Sequence, residues 1–233
     1  GIDVSQVLNA GCLILNVFGP STNCGQDILD EQAARGDRRV QLSADPMDQL
    51  RSGTYLDKFS YDINEQLTFR NIMSYSTMDH VYRWDLDGSR AGFNEFTNPK
   101  NNKSADVETI TEELQLQGSA RGDNLSYTLG AYYERTEAEG EIIATSLFFV
   151  DVTQAYQQTK ESFAPFAQAT YDLADISAAL AGLNITAGVR YTRDTTEGTA
   201  RIAQLAGGVL PLTDASFSAE VDSSSLTYTL GVD

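Results

Sequence analysis

The amino-acid sequence predicts an all-β fold, namely an antiparallel transmembrane β-barrel segment of about seven meander strands. One observation behind this prediction is that segments of about ten residues alternate apolar and polar side chains. In Leu125–Glu137, for example, Tyr127 and Leu129 share one face, whereas Ser126 and Thr128 share the other. The other observation is that the connections between such segments are alternately short and long. Strands with tight turns at one end and long loops at the other are typical of outer-membrane barrels.

The strand candidates follow one another from residue 54 onwards. They are Thr54–Ile63, Leu67–Asp79, Val107–Gly118, Leu125–Glu137, Ser162–Leu173, Leu183–Asp194 and a last strand that begins near Ser225. The short turns are at residues 64–66, 119–124 and 174–182, and the long loops are at 86–105, 138–160 and 195–223. A meander places all short turns on one side, so we expect them in the periplasm and the long loops outside. Residues 54–233 are thus predicted to form a partial transmembrane barrel, and the irregular residues 1–53 a long extracellular loop.

The composition excludes some classes of function. The 33 acidic residues outnumber the 16 basic ones, which gives a net charge of -17 and argues against nucleic-acid binding. Apolar residues make up 41% of the chain but are spread in alternation, and no run approaches the roughly 20 residues of a membrane helix. The negative mean hydropathy of -0.29 is compatible with a barrel, because only every second residue of a strand meets lipid.

The two ends of the sequence and its two cysteines bear on its origin. Gly1–Val4 lacks the basic start of a signal peptide, and the last strand still continues near Asp233, so we expect an internal piece of a longer, exported polypeptide. In an exported protein, Cys12 and Cys24 are expected to form a disulfide, with two free thiols as the alternative. Neither a metal site nor a cofactor is predicted, because His80 is the only histidine.

Tyrosines are concentrated on the apolar face of the predicted strands. They are Tyr55, Tyr61, Tyr75, Tyr127, Tyr133, Tyr171, Tyr191 and Tyr228. A tyrosine at the membrane interface buries its ring and keeps its hydroxyl in water, so this placement predicts an aromatic girdle. Ordinary β-propensity is the alternative explanation.

Four stretches in order resemble the barrel of TonB-dependent outer-membrane receptors. They are Glu113–Gly118 (ELQLQG), Leu125–Tyr133 (LSYTLGAYY), Phe163–Leu173 (FAPFAQATYDL) and Leu183–Thr192 (LNITAGVRYT), within a resemblance that covers Tyr55 to Asp233. The resemblance implies a 22-stranded barrel with an N-terminal plug, of which this chain holds about a third. Two departures from the family pattern are Gln115, where the family often has Arg, and Pro165, which removes a ladder donor and is expected near the extracellular rim.

The resemblance implies active uptake of a scarce solute of the siderophore, vitamin or glycan class across the bacterial outer membrane. The implied partners are outer-membrane lipid, the rest of the barrel and its plug, the TonB complex acting through the missing N-terminal part, and the solute. A passive porin and, less favoured, a soluble β-rich adhesion protein remain as alternatives. The adhesion tripeptide in Arg121-Gly122-Asp123 is composed of residues that turns use in any case.

Candidate site residues fall into two groups, and no enzyme is predicted. The polar face of the strands is expected to line the lumen through Arg70, Glu113, Gln115, Glu134, Gln168 and Arg190, although any water-filled barrel interior is polar. Solute contact is expected from loop aromatic and amide groups, namely Trp84, Phe93, Asn94, Phe96, Phe148, Phe149 and Tyr156, with packing within the loops as the alternative. Catalytic triads need a histidine with suitable partners, and His80 stands alone.

Overall fold

The computed structural model describes residues 24–86, 88, 95–98, 103–145, 151–204 and 214–233. The strands are β1 (Met47–Asn64), β2 (Leu67–Asp85), β3 (Glu95–Thr97), β4 (Ala105–Ala120), β5 (Leu125–Thr145), β6 (Asp151–Asp172), β7 (Asn184–Gln204) and β8 (Ala215–Val232). All pairs are antiparallel, and they form one eight-stranded meander sheet with β1 and β8 at its edges. The predicted all-β antiparallel barrel segment is confirmed at the level of fold.

The short strand β3 lies within the predicted loop 86–105 and continues the line of β4. Both strands pair with β2 on one side and with β5 on the other. Trp84 is opposite Phe96 and His80 is opposite Ala105, so four steps along β2 correspond to nine steps along the partner chain. The chain from Phe96 to Ala105 is therefore five residues longer than the stretch of β2 opposite it, and Phe96 is on a strand rather than in an open loop.

The strands extend much further than the alternating pattern predicted. The predicted loops 138–160 and 195–223 are for the most part strand, because β5 runs to Thr145, β6 begins at Asp151 and β7 runs to Gln204. In β5 the apolar alternation stops near Tyr133, because neither face carries large apolar side chains from Glu134 to Glu141, but the backbone ladder with the neighbouring strands continues. The pattern therefore marks the apolar band rather than the whole strand.

The first described segment is a helix, α1 (Cys24–Arg35), where the sequence indicated only an irregular loop with short helical turns. Asp27 in its first turn and Arg35 in its last turn have the signs that the helix dipole favours. Strand β1 begins at Met47, seven residues before the predicted Thr54. Cys12 lies outside the described residues, so its disulfide with Cys24 remains a prediction. No helix among the described residues is long and apolar enough to cross a membrane.

The register divides the sheet into two faces. The outer face carries all eight tyrosines of the predicted girdle, and its apolar side chains are exposed, as shown by Leu129 at 48% and Val189 at 45%. Side chains on the other face of the central strands, the inner face, are generally more buried. Because side chains crowd together on the concave side of a curved sheet, this difference indicates curvature towards the inner face.

The apolar part of the outer face matches the thickness of a bilayer. In β5 it extends from Leu125 to Tyr133, which is nine residues, and a membrane-crossing strand needs about 9–11. Pro165 lies one row inside the end of this band, opposite Ala131 and next to the row in which Tyr133 pairs with Phe163. The pairing of β6 with β7 lapses between Phe163 and Phe166, as the missing N–H of proline requires.

Two glycines in neighbouring parts of the sheet have opposite surroundings. A Cβ on Gly130 would lie less than 3.0 Å from the ring of Phe166 and 2.9 Å from the carbonyl oxygen of Leu114. A Cβ on Gly188 would meet nothing closer than 3.6 Å. The Phe166 ring thus packs directly against the backbone of Gly130, whereas Gly188 has room for a methyl group.

We predict that Gly130→Ala lowers the free energy of unfolding by about 1–3 kcal/mol, the usual range for overpacking. Gly188→Ala serves as the matched control and should be neutral or slightly stabilising, because alanine restricts the unfolded chain. Urea unfolding of the intact polypeptide in detergent, followed by the shift of the folded band in electrophoresis, measures both. Equal effects of the two substitutions would contradict the assigned packing.

Candidate functional site

The six residues predicted to line the lumen share the inner face of the sheet. Arg70 is opposite Gln115, and the row that contains Gln115 continues through Gly130 and Phe166 to Arg190. Glu113, Glu134 and Gln168 occupy other rows of the same face. We call these six residues the polar wall; they are Arg70, Glu113, Gln115, Glu134, Gln168 and Arg190. That this face borders a lumen remains a prediction.

The polar wall is connected by side-chain hydrogen bonds along and across the strands. Gln117 donates to the Oε1 atom of Gln115 at 2.7 Å, and the Nε2 atom of Gln115 donates to Glu113. Farther around the sheet, the Tyr132 hydroxyl donates to the Oε2 atom of Glu134 at 2.7 Å. The Nζ atom of Lys160 lies 3.6 Å from the Oε1 atom of the same Glu134. These bonds orient carboxylates and amides before any partner is bound.

Arg190 lies over two aromatic rings at the β7 end of this wall. Its guanidinium carbon is 5.4 Å from the centroid of Tyr132 and 5.9 Å from that of Phe166. Its Nε atom donates to the Thr192 hydroxyl at 3.3 Å. Cation–π contacts of this kind fix the position of the guanidinium and contribute about 0.5–2 kcal/mol each. The sequence identified Arg190 but could not show the two rings beneath it.

A second inner-face group is aromatic and lies beyond the apolar band, at the end of the sheet where β5 ends and β6 begins. We call it the aromatic cluster; its members are His80, Tyr82, Trp84, Phe96 and Tyr156. The ring centroids of His80 and Tyr82 are 5.2 Å apart, and those of Tyr82 and Trp84 are 5.1 Å apart. Phe96 is the cross-strand partner of Trp84. Trp84 and Tyr156 remain 44% and 38% exposed, so their rings can still receive a ligand.

Gly140 brings Tyr156 into this cluster. Tyr156 is its cross-strand partner, and a Cβ at Gly140 would lie 2.7 Å from the Tyr156 ring and closer still to the carbonyl oxygen of Ser104. The missing side chain therefore allows the ring to lie across β5 towards β2. Burial of the Tyr156 ring raises the pKa of its hydroxyl, and the charge of Tyr82 adds to this rise. Tyr156 therefore stays neutral throughout the physiological pH range and offers a hydroxyl donor beside aromatic surface.

Hydrogen bonds with Ser104 hold the backbone of His80 and Tyr82, which carry two rings of the aromatic cluster. The backbone N–H of Ser104 donates to the carbonyl oxygen of His80 at 2.8 Å, and its hydroxyl oxygen accepts from the N–H of Tyr82 at 3.1 Å. Ser104 is 3% exposed. The Nε2 atom of His80 is 2.8 Å from the Oδ1 atom of Asp48 on β1. The strand segment that carries the aromatic rings is therefore held on both sides.

The structure brings together three of the seven residues that the sequence predicted for solute contact. Trp84, Phe96 and Tyr156 share the inner face. Phe93, Asn94, Phe148 and Phe149 lie outside the described residues, and their role remains a prediction. Sequence reasoning missed His80 and Tyr82. Their spacing of two residues from each other and from Trp84 was the available signal, because residues at i, i+2 and i+4 of a strand share a face.

On the outer face, above the apolar band, Lys103 holds two opposing carboxylates together. Asp79 and Asp106 are direct cross-strand partners, and like charges in such positions destabilise a sheet. The ammonium group of Lys103 contacts Asp79 and lies 2.6 Å from the Oδ2 atom of Asp106. The hydrogen bond from Lys103 holds the pKa of Asp79 below its usual value. The hydrogen bonds to Asp106 and Asp79 raise the pKa of Lys103.

Comparisons with known proteins agree with this geometry. The sequence matches no protein-family model and no curated protein. The ferric yersiniabactin uptake receptor FyuA from Yersinia pestis superposes with a TM-score of 0.62, at 13% identity over 81% of this chain. The ferric-catecholate import receptor Fiu from E. coli K12 gives 0.57, at 14% identity over the whole chain. The siderophore receptor PiuA from Acinetobacter baumannii gives 0.50, at 20% identity over 79%.

The chain has the fold of an outer-membrane receptor barrel segment. The resemblance of its sequence to TonB-dependent receptors is thereby confirmed at the level of fold. This chain spans 26%, 38% and 30% of the lengths of FyuA, Fiu and PiuA, so it corresponds to about a third of such a receptor. The three neighbours are named as uptake, import and siderophore receptors, and none is named as an enzyme.

We predict that Lys103→Met loosens the ends of β2 and β4 in a pH-dependent manner. At neutral pH the variant leaves two facing carboxylates, so amide hydrogen exchange near Asp79 and Asp106 should be about 2- to 5-fold faster than in the parent. Because the pKa of Asp79 is lowered on folding, its stabilising contribution is present above the ordinary pKa and is lost as the pH falls. Because the pKa of Lys103 is raised on folding, its ammonium group stays charged and continues to stabilise the sheet until the pH becomes alkaline.

The difference between variant and parent should therefore be largest between about pH 5 and 9, and should shrink near pH 4, where a carboxyl group takes up a proton. Lys160→Met is the control, since Lys160 contacts only Glu134 among the described ion pairs. Exchange is followed by mass spectrometry, with each variant compared with the parent at the same pH. A difference that persists unchanged at acid pH would contradict the role of Lys103.

Proposed function

We propose that this chain is part of a TonB-dependent transporter in the bacterial outer membrane that actively imports a scarce solute. The outer face supports the membrane location, because its nine-residue apolar band and its tyrosines match what a lipid bilayer selects. The fold neighbours support the transporter assignment, since they are named as receptors for uptake or import. Strands β1 and β8 are the edges of the sheet, and we infer that the remainder of a larger barrel pairs with them.

The aromatic cluster is the observation that carries the proposed solute contact. It presents Trp84 and Tyr156 on the concave face, beyond the membrane band and on the side that we assign to the exterior. Aromatic rings bind flat ligand groups by stacking, and each such pair contributes about 0.5–1.5 kcal/mol beyond the area it buries. Among siderophores, vitamins and glycans, we therefore favour a siderophore with aromatic chelating groups. The named ligand of Fiu, a ferric catecholate, is of this chemical kind.

The polar wall is proposed to border the path below this cluster. Its amides, carboxylates and the guanidinium of Arg190 are held in place by neighbouring side chains. A wall of this kind can bind a plug domain through hydrogen bonds or can contact a passing hydrophilic solute. The plug and the TonB complex are accordingly proposed as partners, and both would act through parts of the polypeptide outside this chain.

We predict that Trp84→Ala and Tyr156→Ala in the intact receptor each weaken binding of a ferric catecholate about 10-fold, because each removes a stacking surface. Tyr191→Ala is the matched control, since Tyr191 is 45% exposed but lies on the outer face. Quenching of receptor fluorescence on titration with the iron complex measures the dissociation constant. Unchanged affinity in both cluster variants would exclude the cluster as a contact for this class of solute.

The same receptor distinguishes active import from a passive porin. Cells that express it should accumulate radioactive iron from the complex only while the inner membrane is energised, so an uncoupler should abolish uptake. Uptake that persists with the uncoupler, or in cells that lack TonB, would favour the passive channel. Intact polypeptide that remains in the aqueous phase on detergent partitioning would instead exclude both transport proposals.

A further inference from the structure

Arg121 lies against a girdle tyrosine at the short-turn end of the outer face. It belongs to the turn between β4 and β5, and its guanidinium carbon is 5.8 Å from the centroid of Tyr171 on β6. The Nη1 atom of Arg121 donates to the Tyr171 hydroxyl at 3.2 Å and lies 3.5 Å from the Oδ2 atom of Asp175. The Tyr171 hydroxyl also donates to that carboxylate. The three side chains form what we call the rim triad: Arg121, Tyr171 and Asp175.

The guanidinium of the rim triad retains capacity for a further partner. An arginine carries five N–H donors, and both contacts above use Nη1 alone. Within the described residues, no hydrogen bond or ion pair involves the Nε or Nη2 atoms of Arg121, and its side chain is 67% exposed. These donors are therefore available to solvent or to a bound group.

The backbone of Arg121 is in a conformation that L-residues rarely adopt. Its φ angle is +56°, in the left-handed region where glycine would be unstrained. Glycine occupies the next position, and Asp123 is also left-handed with a φ angle of +73°. Strained residues of this kind persist when the surrounding structure or a function requires them. Glycine at position 121 would form the same turn without this backbone strain, so the shape of the turn alone does not explain the arginine.

An apolar turn lies next to the rim triad. Residues 173–183 connect β6 to β7 through two short 3-10 turns, and Ser177 and Asp172 cap them with side-chain hydrogen bonds. Ile176 follows Asp175 directly and is 67% exposed, and Leu183 is 40% exposed. The bond from Tyr171 to Asp175 ties this turn to the outer face of the sheet. The apolar surface of the turn therefore continues the apolar band at its lower edge.

We propose that the rim triad and the turn that carries Ile176 bind a phospholipid of the periplasmic leaflet. The Nε and Nη2 donors of Arg121 would hold the phosphodiester, and Ile176 would enter the boundary between head groups and acyl chains. This proposal rests on the proposed membrane location but goes beyond it, because it assigns a lipid-binding site to named residues. Arginine suits phosphate because its planar fork can donate two parallel hydrogen bonds.

Two arguments favour lipid as the occupant of this surface. The site is continuous with the apolar band, since Tyr171 pairs with Ile185 and Ile185 with Val232 along the same edge of the outer face. The donors are also complementary, because Nε and Nη2 of Arg121 have no hydrogen bond or ion pair among the described residues and its side chain is 67% exposed, although its charge is shared with Asp175. A phosphodiester linked to acyl chains satisfies both halves of the site, whereas free phosphate would satisfy only one.

The first test measures retention of phosphatidylglycerol by the intact polypeptide in detergent, using native mass spectrometry. Arg121→Gln and Arg121→Gly should each weaken the tightest lipid about 10-fold, and Arg121→Gly should do so without loss of thermal stability because it relieves the positive φ angle. Arg201→Gln is the matched control. Arg201 is 62% exposed on the outer face and contacts Asp214 at 3.0 Å, but it lies far beyond the apolar band, so retention should not change.

The second test measures depth in vesicles of phosphatidylethanolamine and phosphatidylglycerol. Nitroxide labels are placed at Ile176→Cys, at Val189→Cys within the apolar band and at Arg201→Cys outside it. Oxygen and a water-soluble nickel chelate compete as relaxing agents for each label. We expect the label at 176 to lie at the head-group boundary, the label at 189 to be in hydrocarbon and the label at 201 to be in water.

The outcomes separate this proposal from the proposed function. An aqueous label at 176 with a lipid-embedded label at 189 would overturn the lipid site and leave the barrel intact. Aqueous labels at both positions would overturn the membrane location itself. Equal lipid loss in the variants at Arg121 and Arg201 would show that retention follows overall charge, and would likewise overturn the site.

Discussion

The structure depends on one constraint, which is that every backbone N–H and C=O group in a membrane must be paired within the protein. The antiparallel ladder meets this constraint for the interior strands, which have a partner on both sides, whereas β1 and β8 are each paired on one side only. The one proline inside the apolar band interrupts the ladder only where β6 meets β7, next to Phe163 and Phe166. Because the ladder is so complete, side chains are free to differ between the two faces and along the length of each strand.

The same ladder extends the sheet well beyond the apolar band and thereby creates the candidate site. Since β2, β5 and β6 remain paired outside the band, their inner-face residues hold a fixed geometry where open loops would have offered none. Trp84 and Tyr156 are consequently placed on rigid strands rather than on loop tips. A fixed aromatic surface reduces the entropy that binding would otherwise cost, which is the advantage that pre-organised sites have over flexible ones.

Charge and shape are adjusted locally to suit the strand pairing. The opposing Asp79 and Asp106 are tolerated because Lys103 lies between them. Gly130 and Gly140 give the rings of Phe166 and Tyr156 space to lie across a neighbouring strand, so aromatic surface collects on the inner face. At the other end of the sheet, Arg121, Tyr171 and Asp175 join two turns. These contacts connect residues that are distant in sequence, and each one follows from the register.

The sequence by itself determined the strands within the apolar band and the face of each alternating residue. It could do so because the contrast between lipid and water imposes a period of two on any strand that crosses the bilayer. It could not determine the length of β5 beyond Tyr133, because the apolar alternation is lost from Glu134 to Glu141 and only pairing with neighbours keeps the chain extended. Tyr156 was assigned to a loop for the same reason, and Phe96 because the three-residue strand β3 is too short to show a period of two. His80 and Tyr82 were missed although their spacing places them on one face with Trp84. Only the tertiary structure decided which rings meet, since a cross-strand contact such as that of Tyr156 with Gly140 depends on a register that no local pattern contains.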